Sequence, residues 1–290
     1  MRFRRAVVES TRRARAARGL TTASDAAIRR YAQPRTLATT PVRLPDARDR
    51  DKLAFTCDGF LSEAEAQHLV AFAERRGFEP ALINIGWGRE VYAPDSRRGS
   101  RALVESDFMA AAMWRRLRPL LPRAFLGGDE GGADEDGADE GGAGGFDGGM
   151  VFDGRRWRAV GLNERLRFFK YEPGDFFRPH SDGRYVDGSD DGIYADDAPT
   201  SFLTMMIYLN APERGGDTRF LQTPSAPRRG KNSRDRADAA DDDGGVAVTP
   251  AAGSALVFDH RLRHEGCLLE AGVKYAIRTD VMFVPCEPGD

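Results

Sequence analysis

The 290-residue sequence lacks the features that mark several classes of protein. No run of 18 apolar residues occurs, which excludes a transmembrane helix of ordinary length. The three cysteines, Cys57, Cys267 and Cys286, form no CxxC or Cys/His zinc pattern, so we expect neither a disulfide scaffold nor a zinc ribbon. A net charge of −2 argues against a protein held mainly by nucleic-acid phosphates.

Residues 1–40 differ from the rest of the chain in their charge. They contain ten arginines and only two acidic residues, Glu9 and Asp25, among many alanines, serines and threonines. An arginine-rich, acid-poor N-terminal segment is typical of an organelle transit peptide, and the lack of a continuous apolar stretch argues against a secretory signal. We therefore predict a transit peptide for a mitochondrion or plastid. The alternative is a disordered basic tail on a cytoplasmic protein.

Two internal segments have too few apolar residues to pack. Residues 127–149 contain eleven glycines and eight acidic residues, and residues 223–245 contain no aromatic or large aliphatic side chain. Such segments cannot bury enough apolar surface to offset the entropy lost on ordering. We predict that both are disordered surface loops inside one domain, which spans residues 52–285.

In residues 52–122 the apolar residues follow a helical period. Ser62 and Glu65 form a capping box before one apolar run, and a second amphipathic run begins near Ser106. Pro119 is expected to end the second helix early, because its ring clashes with the preceding turn. This part of the chain is therefore predicted to be helical.

From residue 162 to residue 285 the period changes to that of β-strands. Short runs rich in aromatic and β-branched residues alternate with turns that contain proline and glycine. Helices followed by many short strands predict an α+β fold whose strands form a sandwich or barrel. The predicted strands are Arg165–Tyr171, Ser201–Leu209, Asp217–Leu221, Gly244–Thr249, Ser254–Phe258 and Val273–Val284.

The strand-rich part holds three of the four histidines of the chain. His180 and Asp182 lie two residues apart and point to the same face if the segment is extended. Either His260 or His264 can supply a third ligand from later in the sequence. Two histidines and one carboxylate on one side of a metal form the facial triad of non-haem Fe(II) oxygenases. For the His-Ser-Asp triplet alone, an ordinary surface pair is the alternative interpretation.

The last predicted strand, Val273–Val284, alternates between an apolar face and a charged face. Lys274, Arg278 and Asp280 share the charged face. This face is either exposed to solvent or lines a polar pocket. Beside a metal ligand, a buried cation would pair with the distal carboxylate of a dicarboxylic co-substrate.

Five motifs together resemble the prolyl 4-hydroxylase-like branch of the Fe(II)/2-oxoglutarate dioxygenases. They occur in the family's order between about Phe55 and Phe283. The motifs are DGFLSEAEAQHLVAF, RFFKYEPGDFFRPHSDG, MMIYLNAPERGGDTRFL, PAAGSALVFDHRLRHEG and GVKYAIRTDV. The resemblance implies a double-stranded β-helix, or jelly roll, over residues 162–285, with supporting N-terminal helices.

The resemblance also implies the roles of individual residues. Lys274 matches the family's basic residue for the 5-carboxylate of 2-oxoglutarate, and Arg278 on the same face could share or replace that role. His260 does not fit the family's spacing and is interpreted as a residue behind the ligands or in the packing. The matched residues are His180, Asp182 and His264 as metal ligands, and Lys274, Arg278, Tyr171 and Tyr208 as residues that bind 2-oxoglutarate. For the two tyrosines, core packing is the alternative role.

The activity implied is hydroxylation of a C–H bond with Fe(II), 2-oxoglutarate and O2, with L-ascorbate as a reductant of the iron. The expected substrate is a protein or peptide residue such as proline. One alternative is a small-molecule or nucleic-acid oxygenase on the same scaffold, although residues 41–290 are acidic overall, which makes nucleic acid a poor partner. Another is a catalytically silent jelly-roll binding module, against which the complete set of ligands argues.

Overall fold

The computed structural model describes five stretches of the chain, which are residues 36–85, 89–126, 150–188, 197–223 and 245–286. Residues 1–35 of the predicted transit peptide lie outside the described residues. The same holds for the predicted loop 127–149 and for residues 224–244 of the second predicted loop. No helix in the described part of the chain is long and apolar enough to cross a membrane.

The described residues form two α-helices and 18 β-strands, together with short 3-10 helices. The α-helices are α1 (Glu63–Arg76) and α2 (Asp107–Leu117), and the 3-10 helices are Ala47–Asp49, Arg118–Leu120 and Arg123–Phe125. The strands are β1 (Thr39–Pro41), β2 (Ala54–Cys57), β3 (Glu79–Pro80), β4 (Ile83–Asn84), β5 (Glu90–Val91), β6 (Ser100–Glu105), β7 (Met150–Phe152), β8 (Arg155–Leu162), β9 (Arg165–Tyr171), β10 (Phe177–His180), β11 (Thr200–Tyr208), β12 (Arg214–Gly215), β13 (Thr218–Phe220), β14 (Val246–Val248), β15 (Ala255–Asp259), β16 (His264–Gly266), β17 (Leu269–Ala271) and β18 (Lys274–Pro285).

The strands pair into one large and one small antiparallel sheet. The large sheet has ten strands, with the path β1-β2-β15-β11-β18-β9-β6-β3, while β8 pairs with β18 and β7 with β8. The small sheet has the order β10-β16-β13-β14, and two further ribbons pair β12 with β17 and β4 with β5. A mostly antiparallel structure with few helices is consistent with the predicted jelly roll.

Two apolar clusters lie on opposite faces of the large sheet. Both helices pack in the first cluster, where Phe72 of α1 contacts Phe168 of β9 with ring centroids 5.9 Å apart. The second cluster joins the two sheets, and there Phe220 of β13 meets Phe258 of β15 at 5.3 Å. The space between the sheets is therefore separate from the helix-packed core.

The alternation predicted for the last strand is present in β18. Ile277 and Val281 are fully buried in the helix-packed cluster, while Ala276 belongs to the cluster between the sheets. Because successive side chains of a strand point to opposite faces, Lys274 and Arg278 lie on the side of Ala276. Both line the cavity between the sheets and do not form a solvent face.

The structure modifies the predicted boundaries at the N-terminal side. Thr39–Pro41 pairs with β2, with Thr39 opposite Cys57, so the boundary at residue 40 falls inside a strand. Residues 52–122 are not uniformly helical, because five strands accompany the two helices. Of these, Ser100–Glu105 alternates between buried and exposed residues in its second half, as a strand does. Six residues are too few for this period to stand out in the sequence. As predicted, α2 ends before Pro119, and a 3-10 turn contains this residue.

The N-terminus of α1 is anchored by a capping box and a buried ion pair. The Ser62 backbone N–H donates to Glu65 Oε2 at 2.7 Å, and the Glu65 N–H donates to Ser62 Oγ at 3.2 Å. Arg116 of α2 donates to Glu65 Oε1 at 2.6 Å and to the Phe60 carbonyl at 2.9 Å. The pair therefore joins the two helices at a largely buried position.

We predict that Arg116→Met lowers the free energy of unfolding by about 3 kcal/mol, because the substitution leaves the Glu65 carboxylate buried without its cation. Urea denaturation followed by circular dichroism measures the change. Arg115→Met, at the adjacent exposed position of the same helix, is the control and should change stability by less than about 0.5 kcal/mol. Equal effects of the two substitutions would contradict a special role for the ion pair.

Candidate functional site

A cavity between the large and the small sheet is lined by six of the seven residues predicted to be functional. His180 ends β10, Asp182 follows it, and His264 begins β16, which pairs with β10. Lys274 and Arg278 approach from β18 of the large sheet. The two sheets therefore bring together residues that lie up to 98 positions apart in the sequence.

The three predicted metal ligands lie together. One ligand atom from each of His180, Asp182 and His264 can be chosen so that all lie within 4.8 Å of one another. The Nε2 atoms of His180 and His264 are each 3.8 Å from a different oxygen of Asp182. Asp182 is also fixed through its backbone, whose N–H donates to the carbonyl of His260 at 2.9 Å.

Both histidine rings are oriented by the backbone of their own segments. His180 Nδ1 lies 2.8 Å from the Arg178 carbonyl, and His264 Nδ1 lies 2.9 Å from the Leu262 carbonyl. A carbonyl only accepts hydrogen bonds, so each Nδ1 carries the hydrogen and each Nε2 keeps its lone pair. Because both Nε2 atoms face Asp182, these three side chains fit a divalent metal. In metal sites, a ligating histidine commonly donates its other ring N–H to a carbonyl, as both Nδ1 atoms do here.

The imidazoles are held neutral by burial. Burial, together with the neighbouring His264, lowers the pKa of His180 to about 3. Burial also lowers the pKa of His264, although Asp182 opposes this shift. Neutral rings have free Nε2 lone pairs at pH 7, which is the state that coordinates a metal.

Asp182 is ionised in a buried position. Burial by itself raises its pKa, but Arg278 and the histidines around it together hold the pKa well below the usual range. Thr204 donates its hydroxyl hydrogen to Asp182 Oδ2 at 2.5 Å, and an Arg278 nitrogen lies 3.2 Å from Oδ1. A charged carboxylate with fixed oxygens completes a set of two nitrogen and one oxygen donors.

Lys274 lines the same cavity and is buried. Its ammonium donates to the carbonyl of Gly216 and lies 5.6 and 5.3 Å from the ring centroids of Tyr171 and Tyr208. Burial lowers the pKa of Lys274 to about 8, although Asp217 raises it. No carboxylate of the described residues lies within ion-pair distance of this ammonium, so an incoming anion would remove part of its desolvation cost.

The two predicted tyrosines have different partners. Tyr208 is buried, and its hydroxyl donates to Thr218 Oγ1 at 2.8 Å. The Tyr171 hydroxyl accepts a hydrogen bond from Arg97 Nη2 at 3.3 Å. Tyr171 lines the cavity, as do Thr218 and Lys274, whereas Tyr208 lies behind them.

Arg278 is oriented towards carboxylates rather than towards free space. Its guanidinium lies 3.2 Å from Asp182 and 3.1 Å from Asp280, and Asp280 also pairs with Arg167 at 3.1 Å. His260 is buried behind the site, with Nε2 3.5 Å from Asp280. Of the two candidate cations for the co-substrate, Lys274 is therefore the one without a carboxylate partner in the described part of the protein.

Arg97 is a cavity residue that the sequence did not point to. It lies in the stretch predicted to be helical, 74 residues before Tyr171, and no motif includes it. The only signal was the charge of the run Ser-Arg-Arg-Gly-Ser, which is common on protein surfaces. Its position depends on pairing between distant segments, since Arg97 bridges Phe177 at the edge of β10.

One family model matches part of the chain. Residues 166–279 match the family model of the 2OG-Fe(II) oxygenase superfamily, and this range contains all seven predicted site residues. No curated protein matches the chain.

Solved structures similar to the chain include a viral collagen prolyl hydroxylase from Paramecium bursaria Chlorella virus-1, with 17% identity, coverage of 79% of this chain and 95% of that chain, and a TM-score of 0.45. A Pseudomonas putida prolyl-4-hydroxylase has 15% identity, coverage of 91% and 99%, and a TM-score of 0.41. HygX from Streptomyces hygroscopicus has 13% identity, coverage of 82% and 85%, and a TM-score of 0.42. Because these TM-scores lie below 0.5, the support for the family comes from the match of residues 166–279 to the family model.

We predict that His180→Ala and His264→Ala each weaken binding of Fe(II), or of Mn(II) as a stable substitute. Removing a metal ligand should lower the metal affinity by more than the roughly 10- to 100-fold loss that follows removal of a residue hydrogen-bonded to a ligand. Anaerobic titration calorimetry measures the affinity. His68→Ala, on α1, is the control and should bind the metal like the unmodified protein. Unchanged binding in both site variants would exclude this metal centre.

Proposed function

We propose that the protein hydroxylates a C–H bond of a protein or peptide residue such as proline. The match of residues 166–279 to the family model of the 2OG-Fe(II) oxygenase superfamily supports this proposal. The family match supports a 2-oxoglutarate-dependent dioxygenase that uses Fe(II) and O2. The observation that carries the proposal is the partly buried His180–Asp182–His264 cluster, which shares one cavity with Lys274. Among the described residues, the Lys274 ammonium has no carboxylate within ion-pair distance.

The metal would be held by His180, Asp182 and His264. Two imidazole nitrogens and one carboxylate leave further positions open for a co-substrate and O2. When bound, Fe(II) activates O2, while 2-oxoglutarate is oxidised to succinate and CO2 and supplies the electrons for hydroxylation. The chain's own part is to keep both rings neutral and aimed, and to keep water away from the metal.

Lys274 would bind the 5-carboxylate of 2-oxoglutarate. The ammonium is buried, keeps most of its charge at pH 7, and lies near the rings of Tyr171 and Tyr208. A fixed cation at this place sets the direction in which a dicarboxylate enters the cavity. Arg278, which lies between Asp182 and Asp280, would instead keep the metal-binding carboxylate charged and in place.

The choice of a protein or peptide substrate follows the resemblance of the motifs to prolyl 4-hydroxylases. L-Ascorbate would serve as the reductant that returns oxidised iron to Fe(II). The C–H bond to be hydroxylated must come close to the metal. The side chain that carries it would therefore enter the cavity, while the rest of the peptide would stay outside.

We predict that the protein with Fe(II), 2-oxoglutarate and ascorbate forms succinate faster when proline-containing peptides are added. Mass spectrometry should show a gain of one oxygen atom on the hydroxylated peptide. Asp182→Ala is the control and should show neither signal, because it lacks a metal ligand. Succinate formation that responds to small molecules but to no peptide would contradict the peptide substrate while leaving the dioxygenase in place.

We predict that Lys274→Ala weakens binding of 2-oxoglutarate by at least about tenfold, as expected for loss of a charged hydrogen-bond partner, while metal binding persists. In the unmodified protein the affinity should fall as the pH rises above about 8, because the lysine then loses its proton and only the charged form binds the carboxylate. Lys274→Arg should retain part of the affinity and lose this pH dependence, since a guanidinium stays charged. Fluorescence quenching by 2-oxoglutarate under nitrogen measures the binding.

Arg278→Ala is the matched comparison on the same face of β18. It should impair metal binding through Asp182 more than it impairs 2-oxoglutarate binding. If Arg278→Ala abolished binding of 2-oxoglutarate while Lys274→Ala left it unchanged, the anchor would be Arg278.

A further inference from the structure

We propose that Arg97 is a positioning residue that aims the hydroxyl hydrogen of Tyr171 at the carboxylate held by Lys274. The inference rests on the proposed function, because it assumes that the cavity binds 2-oxoglutarate. Arg97 lies outside the segment that matches the family model, and its role follows from its contacts. These contacts fix the arginine and leave the tyrosine hydrogen available to donate.

The guanidinium of Arg97 packs against two aromatic rings. Its central carbon lies 4.4 Å from the ring centroid of Phe169 and 4.5 Å from that of Phe177. The backbone is fixed as well, since Arg97 donates its N–H to the Ala93 carbonyl and bridges Phe177. The residue is only 7% exposed, so the guanidinium has little freedom to turn away from the cavity.

The hydrogen bond from Arg97 determines what the Tyr171 hydroxyl can do. A guanidinium only donates, so the hydroxyl oxygen of Tyr171 must accept from Nη2. The tyrosine's own hydrogen is then left to donate, and among the described residues it has no acceptor. Tyr171 and Lys274 line the same cavity, with the ammonium 5.6 Å from the ring centroid, so an acceptor bound at Lys274 lies on the tyrosine's side of the cavity.

A close backbone approach keeps the Tyr171 ring in place. Gly99 has a φ of 138°, and a Cβ there would lie 2.9 Å from two carbons of the Tyr171 ring. Only glycine allows the ring to lie against this segment, which also carries Arg97. One stretch of backbone therefore carries Arg97 and also holds the Tyr171 ring in place.

Charge supports the same role. No carboxylate of the described residues lies within ion-pair distance of Arg97, and its Nε atom is buried without a hydrogen-bond partner. A cation beside the hydroxyl draws electron density from the oxygen, which makes the tyrosine a stronger donor to a carboxylate. Tyr208 lacks this arrangement, because its hydrogen bond to Thr218 is already made inside the protein.

The test measures dissociation constants with Mn(II) present, so that no turnover occurs. Arg97→Met should weaken binding of 2-oxoglutarate by about tenfold, the effect of one hydrogen bond to a charged acceptor. The same variant should bind 2-oxobutyrate, which lacks the distal carboxylate, as the unmodified protein does. In a Tyr171→Phe background, Arg97→Met should have no further effect, because the hydroxyl through which it acts is gone.

Two variants complete the experiment. Arg97→Lys keeps a cation and a donor and should recover part of the affinity, and it replaces Arg97→Met if the latter does not fold. Arg98→Met, at the adjacent exposed position, is the matched control and should bind 2-oxoglutarate normally.

Two results would overturn the inference. A loss that persists in the Tyr171→Phe background would mean that Arg97 contacts the co-substrate directly. Equal losses for 2-oxoglutarate and 2-oxobutyrate would indicate a general structural defect. Failure of the unmodified protein to bind 2-oxoglutarate, or normal binding by Lys274→Ala, would instead overturn the proposed use of the cavity and remove the premise of the inference.

Discussion

The alternation of side chains along β18 is the constraint on which the rest of the structure depends. This strand pairs with β11, β9 and β8, so it lies in the middle of the large sheet. Its apolar face, with Ile277 and Val281, closes the core under the helices, and its other face carries Lys274 and Arg278. A shift of one residue in its register would exchange the two faces, placing charges in the core.

The buried charges behind the cavity form one connected group. Arg278 lies between Asp182 and Asp280, and Arg167 and His260 also lie close to Asp280. Each of these groups would be costly to bury alone, and mutual pairing offsets much of that cost. The group ties the position of a predicted metal ligand to the large sheet, although the two histidines belong to the small one.

Much of the fold and the site could be predicted from the sequence, and the rest depends on contacts between distant segments. The predicted strand Arg165–Tyr171 has the bounds of β9, and the face shared by Lys274 and Arg278 follows from a period of two. The short strands, such as β10 and β16, have too few residues to show any period. The partners of Arg278 and the position of Arg97 arise only when the sheets meet, so no local pattern encodes them.

The histidines have a local arrangement in common. In both cases the Nδ1 atom is held by the carbonyl of the residue two positions earlier, which is Arg178 for His180 and Leu262 for His264. The orienting group is a backbone carbonyl, so it is present whatever side chain occupies that position. The position holds an arginine in one case and a leucine in the other. Mutational drift at residues 178 and 262 can therefore reshape the surroundings of the cavity without turning either ring.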